Sequence, residues 1–285
     1  MGSVRHSLRH RPAVGLVLFL VVALLAHPLA AVLVGLLGFQ GAEGAPAFGA
    51  AFALLLLVAT VAMARLSGLR LEQVGLTFRG RRLLELAGGF LASAVLFTGL
   101  IVAVVALVGA RWEASARPDF GRVARGVLVV LCLFASEELL FRGFAFRQIA
   151  ALTRPSAALA TTAVAFGLYH LIGSGATGMD ALFRFLTPAA GGAVFAFALI
   201  RSGGLALPIG LHWGGNWIQH SILAVTGDPR AGSALWVAQL TSAQAGALNA
   251  STAERLPYFV VLALLVLLIH TVVPRSDYGG PPGTT

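Results

Sequence analysis

The chain has 285 residues, 58% of them hydrophobic and 11% charged, with a mean hydropathy of +0.88. Soluble domains carry about 25% charged residues, so this chain has too few to solvate a water-facing surface and no room for a separate soluble domain. The net charge of +9 rests on arginine alone, gathered mainly in short loops, where it reads as a topology determinant and not as a nucleic-acid surface.

The expectation is a single all-α membrane domain over 1–285, a polytopic transmembrane bundle of about eight helices in contact with the lipid bilayer. An all-arginine basic set with an Ala, Gly, Leu and Val bias points to a GC-rich, bacterial genome and an inner (cytoplasmic) membrane. The single Cys132 excludes an intrachain disulfide and any cysteine-rich metal site, and reads as a small buried hydrophobe.

Apolar runs predict helices near 13–38, 46–65, 83–109, 124–147, 156–172, 182–200, 205–225 and 257–273. The first run follows Arg5, Arg9 and Arg11 in the manner of a signal peptide. It continues to about Phe39 without a convincing cleavage site and so reads as a transmembrane helix. Leu71 to Leu76 reads as a polar loop between helices two and three, and Gly173 to Asp180 as a glycine-rich turn. Thr226 to Arg255 is the longest polar connection, and the tail 278–285 is expected to be disordered. With the N-terminus cytoplasmic, twelve arginines fall on the cytoplasmic side and seven opposite, with Arg142 inside a helix. That bias favours N-in and C-in.

Ionisable residues inside a membrane helix are costly, so each is a functional candidate. Helix four carries Ser136-Glu137-Glu138-Leu139-Leu140-Phe141-Arg142. Glu138 and Arg142 are four apart and can pair, which leaves Glu137 about 100° away without a local counter-ion, in the position of a general base. The plain alternative is a structural charge cluster that ties helices together. Helix five carries Phe166-Gly167-Leu168-Tyr169-His170, and helix seven His212-Trp213-Gly214-Gly215-Asn216. A lone helical histidine is more often structural than catalytic, so these two count only if they meet the glutamates. Counting at about 1.5 Å per residue puts Glu137, His170 and His212 in a common layer within error. Pro208 is expected to kink helix seven before His212. Gly214 and Gly215 are expected to admit a neighbouring helix closely. His27 and His270 read as packing or interface residues, His220 as a candidate support behind His212, and the four tryptophans, at least in part, as interfacial anchors.

Glu137-Glu138-x-x-x-Arg142, Phe166-x-x-x-His170 and His212-x-x-x-Asn216, in this order on successive apolar helices, resemble the CPBP (CaaX protease and bacteriocin-processing, or Abi) family of intramembrane proteases. Gly75-Leu76 and the Gly203-Gly204-Leu205 approach to Pro208 also look like this family, so the resemblance covers about 70–225. It implies an intramembrane endopeptidase acting on a peptide or membrane-protein substrate. Glu137 would activate a water, with His170 assisting, while His212 and Asn216 would stabilise the oxyanion. Glu138 and Arg142 would hold the glutamate helix in place. Catalysis without a metal is the preferred expectation. If zinc takes part, Glu137, His170 and His212 are its ligands. The alternatives are a non-catalytic adaptor or bacteriocin immunity factor, and a proton-coupled transporter, although no internal repeat supports the last.

Overall fold

The computed structural model describes residues 8, 11–40, 44–115, 120–226, 234–245 and 256–276. The tail 278–285 and much of the 226–255 connection lie outside the described residues. The fold is an all-α bundle. Among the described residues there are nine α-helices: α1 (Pro12–Leu36), α2 (Gly44–Leu66), α3 (Arg81–Leu107), α4 (Phe120–Arg142), α5 (Phe144–Leu152), α6 (Pro155–Leu171), α7 (Gly178–Ser202), α8 (Ala206–Trp217) and α9 (Leu256–Val272). Helices α1, α2, α3 and α7 are long and apolar enough to cross a membrane. With the large apolar side chains left on their outer surfaces, such as Leu24, Leu54 and Leu91, they make this an integral membrane protein.

Four expectations about the elements need correction. The apolar run 124–147 is two helices, because the backbone turns at Gly143 and α5 leaves in a new direction. A Cβ at Gly143 would stand 2.6 Å from the Leu139 carbonyl oxygen, so only glycine fits. The run 205–225 is α-helical only to Trp217. A π-helical turn follows at Ile218–Ile222, and the chain then extends as β2 (Leu223–Val225). Here β-branched and aromatic residues join a three-stranded sheet of order β1-β3-β2, with β1 at Arg111–Ala114 and β3 at Trp236–Gln239. Trp112 faces Ala238 in the antiparallel pair, and Ala224 faces Val237 in the parallel one. Nothing in the helical spacing signalled this sheet.

Pro208 does not kink its helix. It sits in the first turn of α8, where no intrahelical partner for its N–H is needed.

Helix α8 is the centre of the bundle. It packs along α3 more extensively than any other pair of helices touches. Glycines make that approach possible. A Cβ at Gly210 would collide with the Leu86 carbonyl, and one at Gly214 with the Phe90 carbonyl and Ser93 Oγ. A Cβ at Gly215 would press on the Phe97 ring at 2.7 Å. The Leu71–Leu76 segment is more than a polar loop. Its Leu71–Val74 part is a 3₁₀ helix, and the Gly75 carbonyl accepts the Leu205 N–H at 3.0 Å, which seats the entrance of α8. Buried Leu56, Leu139, Phe146, Leu205 and Ile209 close the core on the α2–α4 side, and Phe97, Phe195, Leu211 and Leu265 on the α3–α9 side.

Candidate active site

Helix α4 carries its charges into the interior. Glu138 and Arg142, one turn apart, are both fully buried, with Arg142 Nη1 donating to Glu138 Oε1 at 3.3 Å. A buried guanidinium needs more than one ion pair, and aromatic faces supply it here. Its central carbon lies 4.4 Å from the Phe166 ring centroid, 5.5 Å from Phe141 and 5.7 Å from Phe195. Gly192 of α7 leaves the space for it, since a Cβ there would come within 2.6 Å of Arg142 Nη2 and 3.1 Å of the Phe166 ring.

Helix α8 brings His212 to the same place. Its Nδ1 is 2.8 Å from Glu138 Oε1, and its Nε2 is 3.7 Å from Glu137 Oε2. The imidazole therefore spans both carboxylates. A carboxylate accepts, so Nδ1 carries the proton in that bond, and Nε2 is left facing Glu137. Two rings hold the imidazole: Phe195 stacks on it at 4.4 Å and 23°, and Phe134 lies tilted at 4.4 Å. Glu137 is mostly enclosed, and its Oε2 has no hydrogen-bond partner among the described residues.

His170, near the end of α6, donates from Nδ1 to the Phe166 carbonyl at 2.9 Å, which leaves Nε2 as an acceptor. The Phe166 ring touches both imidazoles, at 4.5 Å from His170 and 5.8 Å from His212. Asn216 lies one turn beyond His212 on α8 and donates from Nδ2 to the His212 carbonyl at 3.0 Å. Glu137, Glu138, Arg142 and His212 are thus in direct contact. His170 joins them through Phe166, and Asn216 through the backbone of its own helix.

For zinc the fit is poor. Among the described residues, no group of three or more His, Cys, Asp or Glu side chains is placed to hold a metal ion. In the set Glu137, His170 and His212, both imidazoles keep Nε2 free because each is bonded through Nδ1, but the Phe166 ring packs against both histidines.

Sequence reasoning assigned Glu138 to Arg142 alone and missed its bond to His212, a contact between residues 74 apart in the chain. It also missed Phe134, Phe195 and Gly192. A phenylalanine in an apolar helix carries no signal of its own, but the Gly191-Gly192 pair inside α7 was a readable mark of close approach. The Trp213 indole N–H donates to the Val127 carbonyl at 2.9 Å and ties α8 to α4. His27 packs edge-on against Phe48 and Phe52, as expected of a packing residue. His220 shares the Phe134 ring with His212, at 5.9 Å.

Residues 119–218 match the family model for type II CAAX prenyl endopeptidase Rce1-like proteins. The matched segment runs from the start of α4 to the end of α8 and contains all seven motif residues, from Glu137 to Asn216. It is consistent with the CPBP resemblance carried by the three motifs. No curated protein and no solved structure matches the chain.

Proposed function

We propose that this membrane protein is an intramembrane endopeptidase that hydrolyses a peptide or membrane-protein substrate with a water activated by Glu137. The family match supports a CAAX-type endopeptidase at the coarse level. The observation that carries the finer reading is the placement of one imidazole between two glutamates, with Nδ1 committed to Glu138 and Nε2 turned to Glu137.

In this reading Glu137 takes a proton from water as the water oxygen bonds to the scissile carbonyl carbon. His170 Nε2 accepts the water's second hydrogen and orients it. His212, whose Nδ1 proton is bonded to Glu138, can donate from Nε2 to the developing oxyanion only as an imidazolium, and the Glu138 carboxylate supports that charge. Asn216 has a second amide N–H beyond its bond to the His212 carbonyl and adds it to the oxyanion. Glu137 then passes its proton to the departing nitrogen as the C–N bond breaks. Arg142 keeps Glu138 charged and in place. The all-arginine, alanine- and glycine-rich composition supports a bacterial inner membrane, and the positive-inside bias supports cytoplasmic termini.

The test is hydrolysis of a fluorogenic peptide library by purified protein in liposomes, wild type beside Glu137→Gln. The substitution keeps the shape and removes the base, so rates are expected to fall by roughly 10²- to 10⁴-fold. Equal rates for the two would sink the assignment. No cleavage by either, with both folded, would favour a non-catalytic adaptor. Activity is also expected to survive EDTA; loss on chelation that zinc restores would overturn the metal-free mechanism.

A further inference from the structure

A groove of about 470 Å³ runs between α3, α8 and α9, and none of the seven motif side chains lines it. Its walls are apolar: Gly88 and Ala92 from α3, Leu207 and Leu211 from α8, Leu268 and Val272 from α9. Leu84 and Val272, at its edge, are largely exposed, as lipid-facing side chains are.

One end of the groove is basic. Arg81 lines it, and Arg275 directly follows the lining residue Pro274. Both are exposed, as is Arg79. Among the described residues the acid that lines it, Glu85, is buried and shared, with Oε1 on Arg81 Nε at 2.9 Å and Oε2 on Arg82 Nη1 at 2.7 Å. Arg82 also donates to the Ser202 carbonyl at 2.5 Å, and its guanidinium lies against Gly204, so its role is to tie α3 to the α7–α8 turn. Arg81 has only its Nε engaged among the described residues. Its Nη groups, with Arg275 nearby, leave the rim positively charged beside an apolar channel.

We infer that this groove is a binding site for one anionic phospholipid, with an acyl chain between α3 and α9 and the phosphate on Arg81 and Arg275. The charge pattern selects this occupant. An apolar trough in a membrane protein is filled by hydrocarbon, and a planar guanidinium pairs with phosphate oxygens in two parallel hydrogen bonds. Glu85 holds Arg81 in orientation and cancels only one of the positive charges at the rim. The bond of Arg201 Nη2 to the His270 carbonyl and that of Ser276 to the Arg201 carbonyl fix the end of α9, and with it Arg275, beside this rim.

The experiment is native mass spectrometry of the full chain in mild detergent, titrated with dioleoyl phosphatidylglycerol or dioleoyl phosphatidylcholine. The wild type is expected to hold phosphatidylglycerol more tightly. Arg81→Gln and Arg275→Gln should each weaken it by roughly fivefold while leaving phosphatidylcholine unchanged. Gly88→Phe should weaken both lipids. Nothing lies within 4 Å of a Cβ at Gly88, and a helix accepts a side chain there more readily than glycine. The two arginine variants decide the matter independently of it. Equal affinity for the two lipids, or a preference that survives both arginine substitutions, would overturn the site. So would a change of oligomeric state in Gly88→Phe, which would make the groove a protein interface.

Discussion

Helices α1 and α8 look alike as apolar strings, yet they occupy opposite environments. Of the 25 residues of α1, six are buried, most of them small, in one stripe that packs on α2 and α5. Leu24 and Leu25, on its outer side, are largely exposed. Of the 12 residues of α8, nine are buried, and glycines let α3 close on it. In water the apolar string would mark the interior. In a bilayer it marks both lipid and core, so the polar atom and the glycine become the signs of an inside position. His212, Asn216 and three closely packed glycines on α8 are such signs, whereas α1 offers His27, set among phenylalanines, and Gly15 against Phe144.

The contrast can be broken most severely at Glu138. Glu138→Ala leaves a fully buried Arg142 without its carboxylate and His212 Nδ1 without its acceptor. Thermal unfolding in detergent should show a loss of about 3–5 kcal/mol. The double variant Glu138→Ala with Arg142→Met should recover much of that loss without recovering hydrolysis, because the removed charge was also the support of the imidazole. A single variant as stable as the wild type would mean that the buried charges do not hold α4 to α8.

A smaller effect is expected at Gly192. Gly192→Ala puts a methyl against Arg142 Nη2 and the Phe166 ring and should cost about 1–3 kcal/mol. Hydrolysis should fall with it, as Phe166 also touches both histidines. The smallest effect sharpens the comparison from the other side. Leu24→Ala on α1 removes a side chain that is 74% exposed, and the unfolding midpoint should move by no more than about 0.5 kcal/mol of stability.

Much of the site was legible because each signal was chemical and local. Glu137, Glu138 and Arg142 stand out in an apolar helix by cost alone, and i,i+4 spacing pairs the last two. His212 and Asn216 follow the same rule. The partner of Glu138 was not legible, since i,i+4 geometry offered Arg142 and nothing local pointed to a histidine on another helix. The ends of α4 and α8 were misplaced for a related reason: a glycine, or a switch from helix to strand at Ile222-Leu223, leaves the hydropathy unchanged.

From composition and the cost of charge in a bilayer, the sequence alone determined a helical membrane protein with three polar clusters on three helices. Tertiary structure alone decided that two of those clusters share one imidazole, that Phe166 stands between the histidines, and that Gly192 makes room for Arg142. The reason is physical. Helical spacing governs neighbours within about one turn, whereas the approach of α4, α6, α7 and α8 depends on which small residues face which backbones across the bundle.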